Sequence, residues 1–251
     1  MNTGYHKEVS SICFDIEKKL KKYGILTDMD SGKISYGGAM RTELKCKQLY
    51  LLRHGETIGT STHRFMSINS ANSYLTEYGK NMLIHAAEQI KCLRLDCILY
   101  SDIPRVKGTA DIICSKLDGE VQCINIPWMV GIDNAGWEGK TREELSGIDK
   151  ADFYQREVEH NIFAKSSHGS SWGDVLVRCA KLIEYLNINH KERKILLISQ
   201  GSILIGIRTI LKMDTKPWEY YNADRFFGLM EEGQNNYGKL QEIYTQNVRE
   251  G

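Results

Sequence analysis

Apolar positions along this chain follow first one helical rhythm and then an alternation of two. Near the start, Val9, Ile12, Ile16 and Leu20 recur at helical spacing, with Lys18, Lys19, Lys21 and Lys22 on the remaining faces. Gly24 is placed to stop that helix, and Asp30-Ser31-Gly32 is suited to closing a small hairpin inside the Gly-, Asp- and Ser-rich stretch 24–38. From Lys47 onward, short apolar runs predict strands over 48–53, 97–100, 121–126 and 195–199, with weaker ones over 226–230 and 239–244. Between them, amphipathic stretches predict helices over 77–93 with Thr76 as cap, 104–116 with Pro104 in the first turn, 172–186 and 201–211. This order predicts an α/β fold: a three-layer sandwich whose mainly parallel central sheet carries helices on both faces. The domain reading is an N-terminal extension over 1–46, favoured as a packing arm over a regulatory or dimerising element, and a main domain over 47–251. Within that domain, the polar and partly helical segment 141–171 fits no strand. No internal repeat or low-complexity tract interrupts the pattern.

Composition narrows the class. At 251 residues and 41% hydrophobic content, the chain is long enough for one substantial domain with a buried core. Its 33 Lys and Arg against 32 Asp and Glu leave no basic excess to suggest nucleic acid or an anionic membrane. The 7 cysteines form no Cys-x-x-Cys pair, and their odd number argues against a fully paired disulfide framework, so a reduced, cytoplasmic setting is expected. Residues 1–10 lack an apolar signal core, and the longest apolar region, 195–211, is broken by Gln200, Gly201 and Arg208, so neither secretion nor a membrane span is indicated. His6, His63, His85, His160, His168 and His190 show no metal-ligand spacing, and no metal or cofactor is expected.

The densest chemical signal is Leu51-Leu52-Arg53-His54-Gly55-Glu56-Thr57, where an apolar run breaks into a turn at the end of a predicted parallel strand. Ligands of open α/β sheets gather at such ends. Arg53 offers a guanidinium fork for phosphate oxygens, His54 an imidazole able to attack phosphorus, and Gly55 room for a substrate to approach the backbone. Further on stand Leu75-Thr76-Glu77-Tyr78-Gly79, then Tyr100-Ser101-Asp102-Ile103-Pro104-Arg105-Val106-Lys107-Gly108-Thr109-Ala110, Trp137-Glu138-Gly139 and Ile198-Ser199-Gln200-Gly201. Taken in this order over about 47–211, these segments resemble the histidine phosphatase superfamily, which includes the phosphoglycerate mutases.

The resemblance implies a phosphorylated small-molecule substrate and a phosphohistidine at His54, formed at Nε2 while the other ring nitrogen rests on a backbone carbonyl. It implies phosphate clamps at Arg53, Arg105 and Arg64, and a cap over the pocket formed by 141–171. Arg53 and Arg105 are expected to converge from the ends of neighbouring strands. Two positions depart from the family pattern: Gly131 stands where the family has its acid Glu, and Gln200 where it has a second His. Thr60 replaces a family Asn, with a hydroxyl able to donate to a phosphate oxygen. Asp133 is either a substitute acid or, as favoured, a turn residue, while Glu138 is read as structural. Gln200 and the Gly201 that follows it complete the expected site. The implied activity is a phosphoric-ester hydrolase without cofactor, compatible with a homo-oligomer and with an atypical substrate. The alternatives are a phosphate-binding pseudoenzyme and a phosphotransferase or mutase.

Overall fold

The computed structural model describes residues 3–37, 44–46, 48–117, 119, 121–191, 193–212, 229–233 and 236–241. The chain opens with α1 (Thr3–Lys21), then β1 (Ile25–Thr27) and β2 (Ile34–Tyr36), which pair antiparallel as the hairpin that Asp30-Ser31-Gly32 suggests. Gly24 and Gly32 adopt φ of 66° and 65°, the left-handed conformation that glycine reaches without a Cβ penalty. There follow β3 (Gln48–Arg53), the single turn α2 (Ile58–Ser61), α3 (Glu77–Lys91), β4 (Cys97–Tyr100), α4 (Pro104–Lys116) and β5 (Gln122–Asn125). The remainder is α5 (Arg142–Ile148), α6 (Lys150–Glu157), α7 (Trp172–Asn189), β6 (Lys194–Ser199), α8 (Gly201–Ile210), β7 (Leu229–Gly233) and β8 (Asn236–Gln241).

The sheet order is β5-β4-β6-β3-β7-β8, with the first four strands parallel and the last two added antiparallel. The expected strands over 226–230 and 239–244 are met by β7 and β8, and 226–228 and 242–244 lie outside the described residues. The apolar runs of β3, β4 and β6 are buried on both faces, as a parallel sheet covered by helices requires. On one face Leu49, Leu51, Leu99, Ile195 and Leu197 pack with α7 and α8. On the other, Tyr50, Leu52, Ile98, Leu196 and Ile198 pack with α3 and α4. The result is the three-layer arrangement that the strand and helix order predicts. Ile16, Leu20 and Ile25 are buried in the first of these cores, so the start of the chain lies against α7, where Ile16 abuts Gly173.

One expectation needs correcting. The strands that end before Arg53 and Arg105 are not neighbours, because β6 runs between β3 and β4. Gln200, just past the end of β6, therefore lies between Arg53 at the end of β3 and the connection from β4 to Arg105 in α4. No helix among the described residues is long and apolar enough to cross a membrane.

Candidate active site

The site is built where β3 and β6 end side by side. Their parallel register sets Arg53 opposite Ser199, and the His54 N–H donates to the Ser199 carbonyl at 3.0 Å, carrying the ladder one residue past the strand. His54 is 2% exposed, and its Nδ1 lies 2.8 Å from the Gly55 carbonyl oxygen. A carbonyl only accepts, so Nδ1 carries the hydrogen and Nε2 keeps its lone pair. Burial first, then the charges of Arg105 and Arg53, hold the His54 pKa well below the usual imidazole value. His54 is therefore neutral at neutral pH and nucleophilic at Nε2.

Arg105 sits in the first turn of α4, 4% exposed, donating to the Ser73 hydroxyl at 2.7 Å and more weakly to the Ser67 carbonyl at 3.4 Å. Burial, then the charge of Arg53, lower its pKa to about 10, against the pull of Glu138 and Asp133, so it remains a cation at neutral pH. Its Nε is buried without a hydrogen-bond partner among the described residues. Gln200 is the N-cap of α8 and is 5% exposed. Its Oε1 accepts from the Gly131 N–H at 2.9 Å and from the Ser199 hydroxyl at 3.3 Å. The Gly131 N–H can only donate, which fixes the amide orientation and leaves Nε2 as a buried donor without a partner among the described residues. Two guanidinium groups and a spare amide N–H beside a neutral imidazole suit an oxyanion carrying more than one negative charge.

These side chains line a cavity of about 810 Å³. Gly201 lies on its floor, where an added Cβ would stand 3.6 Å from Arg53 Nε. The opposite wall includes Arg142, Glu143, Arg156 and Glu157 of the 141–171 segment, in which two short helices and no strand are found. Arg156 is fully buried, stacked 3.9 Å over the Trp137 ring, and donates to Asn134 and Glu157. Glu157 meets Arg142 at 2.8 Å as well.

Other candidate positions have different work in the structure. Thr60 lines the cavity, but its hydroxyl donates to the Thr57 carbonyl at 3.0 Å and accepts from the Thr57 N–H at 2.8 Å, closing the capping box of α2. Arg64 lines the outer part, where it donates to the Gly139 carbonyl and lies 3.6 Å from Glu144. The missing side chain of Gly55 faces α3, where a Cβ would meet Leu83 at 2.7 Å, and the Gly55 N–H donates to Thr109 Oγ1 at 3.0 Å. Asp133 Oδ1 accepts from the Ala135 N–H at 3.2 Å, the favoured turn role. Glu138 holds the Ser67 N–H and the Ser70 hydroxyl, fixing the loop that touches Arg105. Among the described residues no group of three or more His, Cys, Asp or Glu gathers to hold a metal.

Ser202, Arg178 and Thr109 support the site, and of these only Thr109 lies in one of the family-like segments. Ser202 accepts the Ile132 N–H at 2.9 Å and Arg178 donates to the Gly131 carbonyl at 2.7 Å, so the loop beside Gln200 is held from both sides. Thr109 bonds the Arg105 carbonyl at 2.7 Å as well as the Gly55 N–H, tying α4 to the histidine turn.

Known proteins resemble this chain in sequence and in fold. The profile of the histidine phosphatase superfamily (branch 1) matches residues 49–225. A probable phosphoglycerate mutase GpmB of Erwinia tasmaniensis is 33% identical over 165 residues, which is 65% of this chain and 74% of that protein. Its counterpart in Cronobacter sakazakii is 38% identical over 66 residues, 26% of this chain, and the matched stretch spans only 30% of that relative. Among solved structures, Bacillus stearothermophilus YhfR superposes with a TM-score of 0.65 at 20% identity, over 77% of this chain and 95% of its own. The phosphoserine phosphatase of Entamoeba histolytica, in complex with 3-phosphoglyceric acid, gives 0.61 at 24% identity, over 80% and 98%. A mycobacterial glucosyl-3-phosphoglycerate phosphatase in complex with VO3 gives 0.61 at 19%, over 74% and 90%. On the extent of the profile match and of the Erwinia relative, this chain belongs to the histidine phosphatase superfamily.

Proposed function

We propose that this protein is a phosphoryl-transfer enzyme that hydrolyses a small phosphorylated molecule through a phosphohistidine at His54. The observation that carries the reading is the buried neutral imidazole, Nδ1 on the Gly55 carbonyl, under the charges of Arg53 and Arg105 and beside Gln200, whose Nε2 has no partner among the described residues. Nε2 attacks phosphorus, the P–N bond forms, and the P–O bond to the leaving group breaks with its electron pair going to that oxygen. Water then attacks phosphorus, the P–N electron pair returns to Nε2, one water hydrogen stays on the released phosphate and the other goes to solvent. Charge on the transferring group spreads over its equatorial oxygens, which Arg53, Arg105 and the Gln200 amide would bind. Arg64 and Thr60 serve the outer wall in this reading, and Asp133 takes no part in chemistry. The 7 cysteines, all free thiols, suit a cytoplasmic setting.

The test is trapping with a labelled phosphodonor after rapid acid-free quench. Label is expected on His54 and absent in His54→Asn. Arg105→Ala should weaken vanadate binding by roughly 1.5–3 kcal/mol, the worth of a hydrogen bond to a charged group. Vanadate binding without label from any donor would make the protein a phosphate-binding module, the reading that Gly131 and Gln200 favour. Label released only to an acceptor other than water would make it a mutase or phosphotransferase, the activity in the names of the GpmB relatives.

A further inference from the structure

Among the described residues, the groups that surround His54 supply positive charge and hydrogen-bond donors but no proton for a leaving group. Arg105 stays cationic at neutral pH, Arg53 brings a second guanidinium, and Gln200 offers an amide. The position next to that amide, Gly131, has no space for an acidic side chain. A Cβ there would lie 2.4 Å from Ser202 Oγ and 3.1 Å from Gln200 Oε1, and both of those atoms are held by backbone N–H groups of the same loop. The carboxyl groups that do line the cavity are committed elsewhere. Glu157 is clamped by Arg156 at 2.9 Å and Arg142 at 2.8 Å. Glu56 accepts from the Thr76 hydroxyl at 2.8 Å, and Glu143 is exposed, its carboxyl held ionised chiefly by hydrogen bonds at the start of α5. Asp133 caps a turn, and His63 stands on the exposed rim. The cavity lining also includes the guanidinium groups of Arg64, Arg142 and Arg156, the first 3.6 Å from Glu144 and the other two on Glu157, so that five arginines stand against three glutamates in the lining.

We propose that this pocket takes a phosphoryl donor whose leaving group departs as a stable anion, an acyl phosphate or a phosphoanhydride, in preference to an alkyl phosphate. The inference rests on His54 being the nucleophile. When Nε2 bonds to phosphorus, the departing oxygen carries away the electron pair of the P–O bond as a carboxylate or phosphate, and no proton has to reach it. An alkoxide leaving group would need one, and the absence of a positioned acid typically costs about 10²–10⁴ in rate. The excess of guanidinium groups in the lining then favours a leaving group that departs as an anion, where a neutral alcohol would gain little from it.

The measurement is kcat/KM at neutral pH for acetyl phosphate, inorganic pyrophosphate, glycerol phosphate and a series of aryl phosphates of falling phenol pKa. Rates are corrected with His54→Asn for spontaneous hydrolysis, and wild-type protein is tested in parallel for label on His54. Acetyl phosphate or pyrophosphate should exceed glycerol phosphate by about 10²–10⁴-fold, and the aryl series should rise steeply as the phenol becomes more acidic. Which of the first two is faster separates the acyl from the anhydride source. Glycerol phosphate turned over as fast as either, or a flat aryl series, overturns this proposal while label on His54 leaves the hydrolase reading standing. Neither label nor turnover with any donor overturns both.

Discussion

At the scale of the residue, His54 is where burial and chemistry are most tightly linked. Its pKa is lowered, so between the unfolded value near 6.5 and the folded one the unfolded chain binds the extra proton and the folded state loses stability as pH falls. His54→Asn keeps a donor for the Gly55 carbonyl and removes the titration. In urea unfolding followed from pH 7 downward, wild type should lose up to about 1.4 kcal/mol per pH unit more than this variant once below about pH 6.5. Parallel curves would mean that His54 is not buried as a neutral base. Sequence alone marked His54, Arg53, Arg105 and Gln200, because each falls inside a short ordered motif. It assigned ligand contact to Gly55 and a hydroxyl donor to Thr60, and the structure spends both on holding the turn. A motif names residue types, whereas the direction in which an N–H or hydroxyl points is decided by partners such as Thr109 and Thr57, far away or next door.

Among elements, the contact between α3 and the histidine turn positions the site. A Cβ on Gly79 would stand 2.3 Å from the Glu56 carbonyl oxygen and 2.8 Å from its nitrogen, backbone atoms that cannot rotate away. Gly79→Ala should therefore cost about 1–3 kcal/mol in urea unfolding and also weaken vanadate binding, because the turn that carries His54 has to move. Gly147→Ala, in α5 with nothing within 4 Å of the added Cβ, should be neutral or stabilising by up to about 1 kcal/mol. Equal effects from the two would remove the α3 contact from the account. The elements themselves were legible where periodicity and caps agree: β3, β4 and α4 start and stop where the apolar pattern does. The order of strands was not, since adjacency of β6 to both β3 and β4 is a property of crossovers and leaves no mark in any one segment.

Over the whole molecule, the site has two walls of different construction. Its floor grows from β3, which is hydrogen-bonded to β6 on one side and β7 on the other and buried between two helical layers. Its outer wall rests on α5 and α6, helices of 7 and 8 residues whose shared core is Trp137, Leu145 and Phe153 with Phe65 against them. Opening free energy follows such differences in buried contact. Amide exchange should therefore be slowest in 49–54 and faster by orders of magnitude over 142–157, with vanadate slowing the second segment far more than the first. Uniform protection of the two would show that the walls open together. If they open separately, time is divided along with structure: the nucleophile stays poised through many excursions of the wall opposite, and the residence of a bound anion is governed by a few aromatic contacts around Trp137 that never touch phosphorus.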